Sequence, residues 1–187
     1  MTTATAPVQA ATAPWQIDPT HTEIEFSARH LMISNVKGRF SNPTGSVVFD
    51  PKNPAALAID VSIPIASIDT RNEQRDAHLR SADFFDAENF PAMTFQSKRA
   101  VGNTASAFKL IGDLTIRGVT REVTLDVTAE GAGGDPWGND RLGFSAEGKI
   151  DRKDFGLVWN QLLETGGVAV GDQIKIIINT ELMRPKA

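Results

Sequence analysis

The stretch TEIEFSAR, residues 22–29, decides the fold class. Its apolar residues Ile24, Phe26 and Ala28 occupy every second position, and polar or charged residues occupy the positions between them. Successive side chains of a β-strand point to opposite faces, so this alternation predicts a strand that is buried on one face only. A strand buried on both faces would instead be a continuous apolar run.

The same alternation recurs along most of the chain. Further runs lie at residues 36–40, 47–49, 57–63, 93–95, 108–114, 123–127, 142–150 and 174–178. Phe40 and Val47 are an odd number of residues apart, so a bulge between them would place both on one face and make residues 36–50 one bent strand. The chain then has eight strands. Eight strands close into a barrel that can hold one small ligand, and the whole is expected to be all-β.

One segment interrupts the strand pattern. Residues 70–73, Thr-Arg-Asn-Glu, match a capping box with Thr70 as the N-cap and Glu73 reaching back. The spacing predicts a short helix from Thr70 to about Ser81, and its few apolar residues predict a surface position. Three phenylalanines follow it. The segment from Thr70 to Pro91 is therefore the predicted cap or gate over one mouth of the barrel.

Composition excludes several classes of protein. The 187 residues are 41% hydrophobic and 22% charged, which suits one folded domain rather than a disordered chain or a coiled coil. A net charge of −4 argues against a nucleic-acid partner. The chain has no cysteine, which excludes a disulfide framework, a thiolate zinc site and a cysteine nucleophile.

The start of the chain and its hydropathy bear on location. Residues 1–14 are mostly small residues and prolines without Lys or Arg, so they predict a disordered arm rather than a secretion signal. No run of 18 apolar residues occurs, so no transmembrane segment is expected. We expect a cytoplasmic protein whose single folded domain covers residues 15–187.

The positions predicted to face inward mix large and small residues, and two interpretations stay open. A packed barrel needs small residues such as Gly112 and Ala146 where its interior tapers. Alternatively, the space beside them is an apolar cavity that a ligand fills. In that case Gly112→Leu would displace ligand and leave the empty protein folded, whereas in a packed barrel it would cost stability. The residues predicted to contact a ligand are Ile24, Phe26, Phe40, Val47, Phe49, Ile59, Val61, Phe84, Phe85, Phe95, Phe108, Leu110, Leu125, Phe144 and Ile176.

Motifs of catalysis are missing from the sequence. It contains no GxGxxG, Walker loop, HExxH or GxSxG. An extended strand would hold His21 and His30 roughly 30 Å apart, and His78 lies on the predicted helix, so we expect no catalytic or shared metal-binding role for them. The three carboxylates of residues 83–88, or His30, could serve as general acid or base. Capping and solvation explain the carboxylates more simply, and a hydrogen bond that closes the turn at residues 31–33 explains His30.

Several motifs, in order along the chain, resemble the YceI-like family. They are Asp18-Pro19-Thr20-His21, Ile24-Glu25-Phe26, Arg29-His30, Val36-Lys37-Gly38-Arg39-Phe40, Arg75-Asp76-Ala77-His78-Leu79-Arg80, Phe84-Phe85-Asp86, Phe90-Pro91-Ala92-Met93-Thr94-Phe95, Gly112-Asp113-Leu114-Thr115-Ile116-Arg117-Gly118-Val119-Thr120, Asp154-Phe155-Gly156-Leu157 and Val170-Gly171-Asp172. The resemblance spans Trp15 to Glu181. It implies an extended lipocalin-like antiparallel β-barrel with one helix, which holds a polyisoprenoid chain and has no established catalytic activity. Many members begin with a secretion signal, and its lack here resembles the cytoplasmic branch.

These observations together predict a lipid-binding protein. The expected ligand is a long apolar chain, a polyisoprenoid lipid or an isoprenoid quinone, and no catalytic cofactor is expected. Two alternatives stay open: an acid–base enzyme acting on an apolar substrate, and a structural barrel that is simply full. An exposed barrel edge or apolar rim could pair two copies, and the resemblance makes a homodimer an expectation.

Overall fold

The computed structural model describes residues 14–50, 56–164 and 166–186. The predicted disordered arm therefore lies outside the described residues, except for Pro14. The elements are β1 (Trp15–Ile17), β2 (Glu23–His30), β3 (Ser34–Phe40), β4 (Thr44–Val48), β5 (Ala58–Pro64), α1 (Glu73–Arg80), β6 (Ala92–Asn103), β7 (Ala107–Ile116), β8 (Val119–Gly134), β9 (Asn139–Asp151) and β10 (Val170–Pro185). Short 3-10 turns lie at Pro19–His21, Ile65–Ser67 and Arg152–Phe155.

The sheet closes into a barrel. Antiparallel ladders join β4 to β5 and then each neighbour in order to β10, while β1 pairs with both β4 and β10. This ring has eight strands. The two extra strands extend it at one end, because β2 pairs with β10 and β3 pairs with β2. The predicted eight-stranded antiparallel barrel with one helix is confirmed, and every second residue of its strands turns inward to bury apolar surface.

The predicted single strand over residues 36–50 is two strands. β3 ends at Phe40 and β4 begins at Thr44, and Asn42 between them has a left-handed backbone with φ of 56°. Phe40 and Val47 are an odd number of residues apart, yet both are buried. A break between two strands, rather than a bulge within one strand, allows both side chains to face inward. At the break the chain can bend around the barrel.

The helix begins later than the capping box predicted. Asn72 is the N-cap, and its side-chain oxygen accepts a hydrogen bond from the Arg75 N–H at 2.9 Å. The Thr70 hydroxyl instead donates to the buried Asp76 carboxylate at 2.5 Å. The prediction was wrong because Asn and Thr are both good N-caps and the sequence holds both within three residues. The surface position was also only partly right, since Leu79 packs on the barrel core.

The segment before α1 covers the outer edge of β3. Arg39 and Asp69 form a backbone bridge, with the Arg39 N–H donating to the Asp69 oxygen at 3.0 Å and the reverse bond at 2.9 Å. An ion pair of 3.0 Å joins the same two side chains. Residues 65–91 connect the end of β5 to the start of β6, and Leu79, Phe84 and Phe85 from this connection pack on the core. Since the ladders are antiparallel, β2 ends and β10 begins at this same end of the barrel, which we call the helix end.

Candidate functional site: an apolar cavity along the barrel

The barrel encloses an elongated cavity of about 270 Å³. All ten strands and α1 contribute residues to its wall, and the wall surface open to the cavity is apolar. It extends from Ile17 and Phe49 at one end to Leu79 and Phe84 under the helix. An apolar cavity of roughly 150 Å³ already stays dry and takes up benzene, so this larger one is suited to hydrocarbon rather than water.

The structure places all fifteen residues predicted to contact a ligand on this wall: Ile24, Phe26, Phe40, Val47, Phe49, Ile59, Val61, Phe84, Phe85, Phe95, Phe108, Leu110, Leu125, Phe144 and Ile176. That they touch a ligand stays a prediction.

Aromatic rings in contact give the wall its shape. The Phe40 ring lies 5.6 Å from Phe26 and 5.8 Å from Phe85, the second pair edge to face. Toward the other end, Phe49 and Phe144 meet edge to face at 5.5 Å. Such pairs hold each other in place in addition to burying area, so the wall is preorganised.

The inward glycines do not leave the cavity open, and the expectation for Gly112→Leu is therefore wrong. A Cβ at Gly112 would lie 2.5 Å from Phe95 Cζ and 2.5 Å from the backbone oxygen of Gln96. A Cβ at Gly38 would lie 2.4 Å from Phe26 Cζ. A neighbouring phenylalanine ring packs directly against each glycine. A larger side chain at either position would therefore clash with atoms already there rather than fill empty space. Ala146, by contrast, lines the cavity itself.

Other wall residues were not predicted. Six of them continue the alternation of runs that the sequence shows, so a wider use of the same rule would have found them: Ile63, Val123, Val127, Ile150, Ile174 and Ile178. Phe155 ends a 3-10 turn and Leu157 comes two residues after it, where no two-residue period exists, and Leu79 lies on a helix of mostly polar residues. Local sequence gives no signal for these three.

Three of the four polar residues on the wall bind other protein groups, and the fourth, Glu25, also lines the outer groove beside β3. Thr22 and Thr180 join their hydroxyl oxygens at 2.8 Å. Arg152, which is 4% exposed, donates to the carbonyls of Leu157 and Trp159 at 2.6 and 2.8 Å, and to that of Gly171 at 3.1 Å. These bonds explain how a guanidinium can lie beside an apolar cavity, since buried charges need hydrogen-bond partners. The Arg152 side chain thereby fixes the chain between β9 and β10.

An aromatic cluster at the helix end joins α1 to that same connection. The His78 ring stands edge to face on Trp159 at 4.7 Å and on Phe84 at 5.1 Å. Its Nε2 lies 2.9 Å from the exposed Asp83 carboxylate. Asp83, Asp86 and Glu88 are not among the wall residues, so the acidic corner lies outside the cavity.

A second polar cluster lies where β1 meets β10. The ligand atoms of Asp18, His21 and Glu181 lie within 4.8 Å of one another, a spacing that a metal ion could use. Arg141 already donates to Asp18, and to Glu181 at 3.3 Å, so its guanidinium supplies the positive charge there. The group therefore acts as an ion-pair network along the closing seam, and the expectation that the histidines share no metal stays a prediction.

The buried Asp18 carboxylate has a strongly shifted pKa. The hydrogen bond with His21, together with those from Arg141 and from the Thr20 N–H, holds the pKa of Asp18 well below its usual range, although burial acts in the opposite direction. Three donors on one carboxylate stabilise its charged form. Asp18 is therefore ionised at neutral pH and ties β1 to β9.

None of the helices among the described residues is long and apolar enough to cross a bilayer.

Comparison with known proteins agrees with this architecture. Residues 15–182 match the YceI-like domain. Protein YceI of Escherichia coli O157:H7 is 39% identical over 179 residues, which cover 95% of this chain and 90% of that protein. The crystal structure of the Campylobacter jejuni YceI protein, at 36% identity, has a TM-score of 0.73 and covers 84% of this chain and 90% of its own. A polyisoprenoid-binding domain from Saccharophagus degradans, implicated in plant cell wall breakdown, has a TM-score of 0.63 over 91% of this chain and 98% of its own; at 14% identity it shows the fold alone. This chain belongs to the YceI-like family.

Proposed function

We propose that this protein binds a long-chain apolar lipid, a polyisoprenoid or an isoprenoid quinone, inside the barrel, for storage, transport or presentation. The observation that carries the proposal is the elongated cavity of about 270 Å³ with an apolar wall drawn from every strand. A cavity of this kind costs stability when it is empty, and a bound apolar ligand would recover that stability.

Desolvation is enough to hold such a ligand. Each buried methylene contributes about 0.8 kcal/mol, so ten well-buried carbons give roughly 8 kcal/mol before the costs of association. No charge pairing is then needed. The aromatic contacts of Phe40 with Phe26 and Phe85 hold the wall in place before binding, which lowers the entropy lost when the ligand enters.

The choice of an isoprenoid rests on a fold relative. The Saccharophagus degradans domain with the same fold is a polyisoprenoid-binding domain. The barrel of this protein encloses an apolar cavity of about 270 Å³. Its wall combines phenylalanine with branched Ile, Leu and Val, whose irregular surface suits a methyl-branched chain.

The structure favours binding over the two alternatives. An enzyme acting inside the cavity would need an acid or base there, but the Thr22 and Thr180 hydroxyls pair with each other and Arg152 binds backbone carbonyls. The carboxylate-bearing residue of the described wall, Glu25, alternates on β2 with Ile24 and Phe26 and also lines the outer groove. The carboxylates of the acidic corner lie outside the cavity. A structural barrel that is full would not contain a space of this volume.

The test is mass spectrometry of an organic extract of gently purified protein. We expect one lipid class with an isoprenoid mass series at close to one molecule per chain. Protein heated to release the ligand and then refolded should take up polyprenol from detergent solution. Extracts without lipid, combined with no uptake of polyprenol, would contradict the proposal.

A homodimer, a quinone as the particular ligand and a cytoplasmic location stay predictions of the sequence. Sedimentation velocity would test the homodimer, and mass spectrometry of the extracted lipid for a quinone head group would test the quinone. Fractionation of cells would test the location.

A further inference from the structure

Exposed apolar residues concentrate at the helix end of the barrel. Among the described residues, eight large hydrophobic side chains are exposed, and five of them lie in two neighbouring loops there: Leu31, Met32, Ile33, Val158 and Leu162. We call these five the apolar rim. Ile33 is 78% exposed and Leu162 83% exposed. Exposed apolar groups gathered in one place mark a surface that binds something.

Hydrogen bonds join the two loops into one surface. The Leu31 N–H donates to the Ala169 carbonyl at 2.9 Å, and the Ala169 N–H donates to the Gln161 carbonyl at 2.9 Å. The rim lies close to the cavity along the chain, because Leu157 directly precedes Val158, Val170 directly follows Ala169, Ala28 lies three residues before Leu31, and all three are wall residues. The rim therefore lies at the end of the barrel where the cavity wall meets these two loops.

Turn geometry does not explain the apolar residues of the β2–β3 hairpin. Leu31 and Met32 have φ of 50° and 61°, a left-handed conformation that Gly and Asn adopt at lower cost. Their side chains also contribute little to the core, since they are 36% and 50% exposed. Bulky apolar residues at this strained and exposed turn indicate a role outside the fold.

The charge around the rim indicates the kind of partner. No Asp or Glu occurs between Glu25 and Asp50, whereas Arg29, Lys37 and Arg39 lie in that stretch. Arg71 and Arg75 line the same outer groove as Lys37 and Arg39, together with the acidic Glu25 and Asp69. Acidic residues lie on the other flank, where Glu164 follows Leu162 by two positions and Asp83 contacts His78 beside Trp159. On the β3 side the apolar tip adjoins a groove with four basic and two acidic side chains. Apolar residues beside a basic surface of this kind favour shallow insertion into an anionic membrane surface.

We propose that the apolar rim docks the helix end of the barrel on the surface of an anionic lipid bilayer, so that a ligand chain passes between the bilayer and the cavity. This inference rests on the proposed lipid-binding function. The rim residues enter the interfacial region, and the basic groove beside them contacts phosphate headgroups. The cavity mouth then opens toward the phase from which an apolar chain comes.

Vesicle sedimentation tests the docking surface. Wild-type protein is mixed with vesicles of phosphatidylcholine alone or with phosphatidylglycerol added. We expect binding to the anionic vesicles that weakens as salt is raised. The double variant Ile33→Ser with Leu162→Ser should lower the bound fraction by about tenfold or more, because two apolar anchors are lost. The matched control, Val101→Ser with Trp137→Ser, changes side chains that are 54% and 80% exposed at the opposite end, and should bind as wild type does.

A second measurement separates this proposal from the proposed function. Uptake of polyprenol from detergent solution should be equal in the wild type and the rim variant, because the cavity is unchanged. Equal vesicle binding by the rim and control variants would overturn the docking proposal even if the cavity takes up lipid. A rim variant that turns a dimer into a monomer without losing vesicle binding would also overturn it, and would assign the rim to a second copy of the chain.

Discussion

Ala146 and Gly112 are both small residues of the barrel strands, but an added side chain would meet different surroundings at each. Ala146 lies on β9 between Val127 and Ile178 and faces the cavity. Gly112 lies under the Phe95 ring and against the Gln96 backbone. A larger side chain at Ala146 should therefore affect mainly ligand content, whereas a larger side chain at Gly112 should affect mainly folding stability.

Ala146→Leu should displace ligand and spare the fold. The added carbons occupy space that the ligand would fill, so the lipid recovered after purification should fall clearly below the wild-type amount. The free energy of unfolding of the delipidated variant should change by less than the about 1–3 kcal/mol that overpacking costs. Lipid extraction and thermal melting of delipidated protein check both parts.

Gly112→Ala is the matched contrast. Its single Cβ would lie too close to a ring carbon and a backbone oxygen, and backbone cannot move aside as easily as a flexible side chain. We expect a lower melting temperature with or without lipid. If Ala146→Leu also lowered the melting temperature while lipid content stayed the same, the cavity would not hold the lipid.

Asp18 should make folding stability sensitive to acid. Its pKa in the folded protein is lowered, chiefly by the hydrogen bond with His21, below the ordinary value of about 3.9 expected in the unfolded chain. The charged carboxylate therefore stabilises the fold above about pH 4, and this contribution is lost as the pH falls from there toward the folded-state pKa. Asp18→Asn should be less stable at pH 7 and should lose less stability on acidification.

Denaturant unfolding at several pH values measures this difference. The decline should not vanish in the variant, because the Lys153 side chain lowers the pKa of Asp172, and the Arg71 N–H lowers that of Asp69, in the same direction. If the free energy of unfolding fell equally with decreasing pH in the wild type and in Asp18→Asn, the stabilising role given to the Asp18 ion pairs would be contradicted.

At the scale of elements, the segment from Thr70 to Pro91 is the part that ligand should change most. Leu79, Phe84 and Phe85 reach the cavity from it, whereas its backbone is held by a short helix and turns rather than by ladders on both sides. Such regions open at low cost in free energy. Hydrogen exchange should slow more in this segment on lipid binding than in residues 123–127 of β8. Equal slowing of hydrogen exchange in the two segments would contradict the prediction that residues 70–91 form a gate.

The sequence predicts the strands well and their ends less well. Alternation found the strand faces, since a two-residue period is a local property. It missed β1, which has only three residues, and it gave β10 as residues 174–178, although the strand covers Val170–Pro185. Polar residues such as Asn179 and Arg184 interrupt its pattern, while pairing with β9 continues through both. Partners far away in the chain, not the local pattern, decide where such strands end.

At the scale of the whole molecule, ligand and stability should be linked. A lipid present at 100 times its dissociation constant adds about 2.7 kcal/mol to the free energy of unfolding. For a chain of this size that corresponds to a rise in melting temperature of roughly 5–11 °C. Calorimetry of loaded and delipidated protein should show this difference. The same melting temperature for both would mean that the lipid is carried outside the barrel.

The existence of the cavity was less predictable than the barrel. The two-residue alternation along each strand indicates which residues face inward, and all fifteen residues predicted from it to contact a ligand line the cavity. It does not tell how neighbouring side chains share the interior, so the glycines that suggested free space turned out to hold the rings of Phe26 and Phe95. Whether space remains depends on the sum of all packed volumes, which no single strand contains.

The seam between β1 and β10 also has a consequence for how the protein is made. Gln16 pairs with Met183, so the ring cannot close until nearly the whole chain has left the ribosome. Until then the nascent sheet keeps unpaired edges, which are sites for association with other chains. Pairings between such distant residues slow folding, because loop closure precedes any gain from contact. Synthesis of this barrel should therefore depend on chaperones that shield strand edges more than synthesis of a helical bundle of equal length does.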